Sequence, residues 1–496
     1  MENNRYYVST RNNNVKASAS EAITRGLAPD GGLYVPAFID DVHFDLNELK
    51  DLSYPKLAVQ ILSEFLDFTP EQLDACIQGA YCSGKFDTDS LVKTVDIRDA
   101  SILELHHGPT SAFKDMALTI LPYLMTTASA NCGEDRKIAI LTATSGDTGK
   151  AALEGFKNVP GTKIIVYYPK DGVSPIQEAQ MLTTGGSNTR VIGVDGNFDD
   201  TQTGVKKIFG DSKLADRISK AGWIFSSANS INIGRLLPQI VYYYYTYFDL
   251  VREGKLRLGE PVNFSVPTGN FGDILAGYYA GLTGLPVNKL ICASNSNNVL
   301  TDFFENGEYN RNREFYKTIS PSMDILISSN LERLLYDKLG RNADSVAELM
   351  NKLSADGSYQ ADKSLFPEFY AGYANEAETK AVIKRVFESD EELIDPHTAV
   401  AEKVRADYAA DTGDKTRTVV LSTASPYKFA RPVYEAVFGE VPGNTDDFAV
   451  QDELFEESHK DIPSPLTGLA DRAVRHHTVC TKEQMADEAV SFLTED

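Results

Sequence analysis

Two rhythms of apolar positions run along the chain. From about Ile97 onward, short runs that are apolar on both faces recur: "SILEL", "KIAILTA", "TKIIVYYP", "TRVIGVDG", "VNFSVPT", "KLICAS" and "TRTVVLST". Between them lie stretches with helical spacing. Runs apolar on both faces suit strands covered by helices on each side, and strands alternating with helices predict a parallel sheet in an α/β protein. Before Ile97 the pattern differs, with the Gly- and Pro-rich turn "APDGGLYVP" followed by a helical pattern around "YPKLAVQILSEFL". The region from about 300 to 395 reads as mostly helical, with no sheet signal. Residues after about 440 are acidic and turn-rich and close with a helical pattern.

This order predicts three units. Residues 1–97 form an N-terminal domain. Residues 98–134 and 232–496 form a large domain with a helical insertion at about 300–395, and 135–231 form a smaller α/β domain inserted within it. No internal repeat or low-complexity linker interrupts the pattern.

Composition narrows the picture. At 496 residues the chain is too long for one ordinary core. With 42% hydrophobic and 24% charged residues it reads as a soluble globular protein. A net charge of −23 argues against a nucleic-acid partner, which calls for a basic face. No apolar run is long enough to cross a bilayer, and "MENNRYYVST" has neither a basic nor an apolar signal region, so a cytoplasmic location without membrane attachment is expected. Cys76, Cys82, Cys132, Cys292 and Cys480 are scattered, as suits reduced thiols. They show no zinc spacing, and the pairs His106-His107 and His476-His477 are adjacent residues that rarely face one ion. No metal site is expected.

The candidate chemistry lies where strands give way to helices, the place where open parallel sheets bind ligands. After "LELHH" comes Gly-Pro-Thr-Ser and then Lys114, at the first turn of an expected helix. The positive end of a helix dipole disfavours an ammonium, which makes Lys114 more available as a neutral nucleophile for Schiff-base chemistry with an aldehyde cofactor. The alternative is a surface lysine reaching water.

At the second junction, "AILTATSGDTGKAALEG", Thr144, Ser145, Asp147 and Thr148 open a helix and suit an anion. Only two residues separate the glycines and Ala151 follows Lys150, so the loop is not a nucleotide P-loop. Simple helix capping is the other reading. The third junction, Thr268-Gly269-Asn270-Phe271-Gly272-Asp273, can fold its backbone around a phosphate or serve close packing. At the fourth, Thr423 and its neighbours can reach a ring nitrogen or simply make a turn. Between them "SSANSINIGR" offers Asn229 and Asn232 as amide ligands and Arg235 as an oxyanion partner. Tyr242 to Tyr245 read as packing and domain contact. Jointly the four junctions and Arg235 suit an aldehyde bearing a phosphate together with an anionic substrate.

These segments resemble threonine synthase. "HHGPTSAFKD" is similar to that family's cofactor-lysine segment, and "TATSGDTG", "SANSINIGR", "PTGNFGD", "APDGGLYVP", "SPSMDILISSNLERLLY", "DPHTAVA" and "LSTASPYKFA" are similar to further signatures in the same order. The resemblance implies a fold-type II enzyme dependent on pyridoxal 5'-phosphate that converts O-phospho-L-homoserine and water to L-threonine and phosphate. It is similar to the longer subgroup, for which a monomer is expected and a dimer is the alternative. By position, Lys114 would hold the cofactor as a Schiff base. Gly269, Asn270, Phe271, Gly272 and Asp273 would form the cofactor loop, and Thr423 would contact the pyridine nitrogen. Thr144, Ser145, Asp147 and Thr148 would bind substrate, with Asn232 and Arg235 as candidates for its phosphate. Ser425 departs from the His of some relatives. A threonine or serine dehydratase-like lyase and a threonine-synthase-like protein without catalysis are the alternatives.

Overall fold

A computed structural model of the chain describes residues 5–144, 146–441 and 443–494. Its frame is two parallel sheets. In the larger, the strands Val262–Pro267, Val287–Ser294, Phe369–Tyr373, Thr418–Ser422 and Ala100–Glu104 run parallel, and Lys93–Ile97 closes one edge antiparallel. Val262–Pro267 is buried along its whole length, which is why it reads as apolar on both faces. The smaller sheet is parallel throughout: Lys137–Ala143, Thr162–Pro169, Thr189–Val194, Trp223–Ser226 and Thr478–Cys480. A three-stranded antiparallel sheet, Tyr7–Ser9 with Asn12–Ala17 and Tyr34–Pro36, begins the chain.

Each expected strand appears, but three boundaries differ. Lys93–Ile97 pairs with Ala100–Glu104 and so joins the larger sheet, not the N-terminal unit. The stretch read as helical at about 300–395 contains Phe369–Tyr373, an edge strand beside Val287–Ser294. This strand, "FYAGY", is fully buried only at Phe369 and Ala371 and is interrupted by Gly372, so it lacks the run apolar on both faces that marks the other strands. The largest difference is at the C-terminus, which the sequence assigns to the large domain. Thr478–Cys480 instead extends the smaller sheet beside Thr189–Val194. The helix Met485–Thr494 buries Met485, Val490 and Leu493 against Ile165, Tyr167 and Ile192. A three-residue strand is too short to show a period.

Helices position the site. Ile233–Arg252 is buried along most of its length and packs on Gly272–Leu282. Ser18, Thr69, Asn197 and Asn375 form capping boxes that fix where their helices start. No helix among the described residues is long and apolar enough to cross a membrane.

Candidate active site

The four junctions converge. After Ala100–Glu104 the chain folds back along the end of Thr418–Ser422: Phe113 N–H donates to Thr423 O at 2.8 Å, and Ser425 N–H donates to Ser111 O at 3.0 Å. This brings Lys114 beside the strand end that carries Thr423, which is itself buried. Asp115 anchors the turn by accepting from Thr110 N–H at 2.8 Å and Thr110 Oγ1 at 2.6 Å. Burial pushes the Asp115 carboxyl up to about 6 against those bonds.

The Lys114 side chain is 11% exposed, with its amine 3.8 Å from Asp147 Oδ2 and 3.4 Å from Ser322 Oγ. Burial disfavours its charge, Asp147 opposes this, and the cations of Lys428 and Arg235 reinforce it. The direction agrees with the sequence reading but the cause does not. The helix after Lys114 is only Asp115–Leu118, four residues, too short for much of a dipole.

Thr144 organises the second junction: its Oγ1 accepts from Gly146 N–H at 3.0 Å and Gly149 N–H at 2.9 Å. Gly146 has φ +143°, and a Cβ there would meet Gln177 at 2.5 Å. Asp147 then opens the helix Asp147–Phe156. Its Oδ1 accepts from Lys428 Nζ at 2.7 Å and Gln177 Nε2 at 2.9 Å, and its Oδ2 accepts from Ser322 Oγ at 3.3 Å. Burial would raise this carboxyl, but Lys428, Lys114 and the hydrogen bonds hold it well below the usual range. Thr148 is half-buried on the next position, and Ser145 lies outside the described residues.

At the third junction Gly269 lies under Ser322: a Cβ there would stand 2.8 Å from the Ser322 carbonyl oxygen. Asn270 O accepts from the Asn330 backbone N–H and Nδ2 at 3.1 and 2.9 Å. Phe271 takes the left-handed φ of +63° before Gly272 starts its helix. Such a turn lets successive N–H groups converge on an anion, and Phe271 is held there by packing on Phe304 and Phe369. Asp273 accepts from the hydroxyls of Tyr242 at 2.6 Å and Tyr243 at 2.8 Å. Burial raises its carboxyl to about 6, although the tyrosines and Lys114 pull it down.

Arg235 is buried, donates Nη1–H to Ala228 O at 3.0 Å, and has no hydrogen-bond partner for Nε among the described residues. Burial lowers it to about 10. Asn232 is committed elsewhere: its Oδ1 caps Gly234 N–H at 2.9 Å and its Nδ2 donates to Ile23 O at 2.9 Å. Its visible work is to fix the start of the helix that carries Arg235. The structure therefore gathers Lys114, Asp147, Asp273, Thr423 and Arg235, and gives Asn232 a capping place.

Other residues join the site without having been assigned a role from sequence. Lys428 is wholly buried against Asp147 and also donates to Thr110 O at 3.0 Å. Ser322 N–H donates to His397 Nε2 at 3.1 Å, while His397 Nδ1 lies 2.6 Å from Asp395 Oδ1. Two of the four tyrosines ligate Asp273, beyond packing. Lys428, Ser322 and His397 fall in "SPYKF", "SPSMD" and "DPHTAVA". Those segments carried the resemblance, but no local spacing pointed to a contact.

The donor set fits pyridoxal phosphate. An amine whose charge is disfavoured stands within electrostatic reach of Arg235 and Asp273, a glycine loop opens a helix, and Asp273 Oδ2 and Arg235 Nε are buried with no hydrogen-bond partner among the described residues. Among sequence families, one described as pyridoxal-phosphate dependent enzyme matches residues 101–424. Fold and site thus define a fold-type II pyridoxal-phosphate-dependent enzyme. Families described as threonine synthase N terminus and threonine synthase, C-terminal match residues 6–81 and 398–490. The chain is 38% identical to threonine synthase of Saccharomyces cerevisiae over 87% of its own length and 89% of that protein. A solved, PLP-bound threonine synthase from Brucella melitensis is 36% identical and superposes with a TM-score of 0.87, covering 99% of this chain and 100% of that one. Human threonine synthase-like 1 is 40% identical over 84% of this chain, which spans 58% of that longer protein. The chain belongs to the threonine synthase family.

Proposed function

We propose that the protein is a threonine synthase, converting O-phospho-L-homoserine and water to L-threonine and phosphate. The observation that carries the proposal is the pairing of an amine with disfavoured charge, Lys114, and a buried guanidinium without a carboxylate partner among the described residues, Arg235, on one site. A lyase acting on unphosphorylated threonine or serine needs the first and offers the second no phosphate, only an α-carboxylate.

In this reading Lys114 Nζ would hold the cofactor through its aldehyde. The loop Gly269, Asn270, Phe271, Gly272 and Asp273 holds its phosphate end, and Thr423 serves its ring nitrogen. Bound pyridoxal phosphate supplies an electron sink for charge developing at substrate Cα. Thr144, Asp147 and Thr148 orient the substrate's amino-acid end at the helix start. Arg235, on the helix that Asn232 caps, takes its phosphate. While substrate is bound, Lys114 Nζ as a neutral amine would accept the Cα proton and, once that proton has been passed on, one from Cβ. The Cγ–O bond breaks and phosphate leaves with the bonding electrons. Water adds at Cβ, and protons return to Cγ and Cα. We place the enzyme in the cytosol, where its scattered free thiols stay reduced.

Incubation with O-phosphohomoserine and pyridoxal phosphate, assaying products together, tests this. Threonine and phosphate in equal amounts are expected. A 2-oxo acid from threonine or serine, without phosphate release from phosphohomoserine, would favour the dehydratase-like reading. No turnover of any of these would favour a threonine-synthase-like protein without catalysis.

A further inference from the structure

One carboxylate, Asp147, lies between two lysines, and it is bonded to the lysine that does no chemistry. Lys428 Nζ donates to Asp147 Oδ1 at 2.7 Å, whereas Lys114 Nζ stands 3.8 Å from Oδ2. The other bonds on Asp147 hold it in that attitude: Gln177 Nε2 donates to Oδ1 at 2.9 Å and Ser322 Oγ to Oδ2 at 3.3 Å. Lys428 has no freedom to leave. Its side chain has no exposed surface, a second donor is spent on Thr110 O at 3.0 Å, and it sits on the short helix Pro426–Phe429, capped by Ser425.

We propose that Lys428 is a positioning residue for the catalytic amine: by holding Asp147 and by its own charge, it keeps Lys114 in the neutral form that bonds the cofactor and removes a proton. Two physical effects act in the same direction. A cation held near an amine favours that amine's neutral form, and a carboxylate engaged by one ammonium is a weaker counter-ion for another. The remaining groups facing Lys114 leave this balance intact. Arg235 adds a second cation, while Asp115 and Asp273 are carboxyls whose ionisation burial disfavours, the first bonded to Thr110 and the second to Tyr242 and Tyr243. His397 touches Lys114 only through Ser322. A buried ion pair costs desolvation that an apolar pair would not. A role in tuning the neighbouring amine explains why the ion pair sits here. The proposal rests on Lys114 being the catalytic amine.

The test measures Lys114 itself, in the cofactor-free protein. Modification by an amine-reactive reagent is followed against pH and read as the mass-labelled Lys114 peptide. In Lys428→Met the cation is gone and Asp147 turns to Lys114, so the labelling midpoint rises by about one pH unit or more. In Lys428→Arg the midpoint stays near that of the parent. In Asp147→Asn the counter-ion is gone and the midpoint falls, the opposite sign, which keeps the test informative if Lys428→Met does not fold. The pH midpoint of the visible band of the reconstituted protein should move with the labelling midpoint. An unchanged Lys114 midpoint in folded Lys428→Met overturns the proposal. So does a rise in KM for phosphohomoserine with no shift in midpoint, which would make Lys428 a substrate ligand. If labelling shifts as expected but Lys114→Ala retains the visible band, the tuning stands and the catalytic assignment of Lys114 fails instead.

Discussion

Arg235 carries the least compensated charge in the site. Its Nη1 is spent on a carbonyl and its Nε has no partner among the described residues, so burying it stabilises nothing until an anion arrives. Arg235→Ala should therefore raise KM for phosphohomoserine by roughly 10- to 100-fold, the worth of hydrogen bonds to a charged group. Retained visible absorbance should show that the cofactor still binds. Steady-state kinetics beside the spectrum checks both halves, and an unchanged KM would remove Arg235 from the substrate site. Lys114 and Arg235 were both legible in sequence because each sits in a segment with unusual local chemistry. Lys428 was not. Its partner Asp147 lies 281 residues away by subtraction of their positions, and no periodicity encodes so distant a contact.

At the scale of elements, the hairpin of Lys93–Ile97 and Ala100–Glu104 ends in a charged clamp. His107 Nδ1 lies 2.7 Å from Asp87 Oδ1 and Nε2 lies 3.0 Å from Glu104 Oε2. A ring with a carboxylate at each nitrogen donates to both only when protonated. Burial works against that charge, but the bonds and charges of Asp87 and Glu104 prevail and raise His107 to about 9. Because the folded value lies above the ordinary 6.5, the stability it contributes is fully present below about pH 6.5. It is lost as pH rises through about 9. Asp87 is 40% exposed, so screening limits the contribution to about 1–2 kcal/mol. Unfolding free energies from urea melts at pH 6 and pH 9 should differ by that amount in the parent and much less in His107→Gln. Strands buried on both faces announced themselves in the sequence. Phe369–Tyr373 and Thr478–Cys480 did not, since one is half-exposed and the other is three residues long.

Across the whole molecule, the C-terminal segment is what sequence order alone misplaces. The chain leaves the larger sheet, crosses back and completes the smaller one, so the smaller unit is built from 137–226 and 478–494. Leu493 is 2% exposed within that core. Leu493→Ala should cost about 2–5 kcal/mol, read as a lower thermal midpoint of the smaller unit. A neutral result would mean that the terminal helix is not part of its stability. The active site lies between the two sheets: Asp147 starts a helix of the smaller one, while Lys114, Ser322 and Lys428 come from the larger. The site exists only when the two units meet, which is why no single segment displayed it.

Lys114, and not the more deeply buried Lys428 beside it, is the lysine proposed to bond the cofactor. Borohydride reduction of the reconstituted protein, followed by proteolysis and mass mapping, tests this directly. The reduced pyridoxyl group is expected on the peptide carrying Lys114, with no labelled product from Lys114→Ala. Label on Lys428, or on any other lysine, would contradict it.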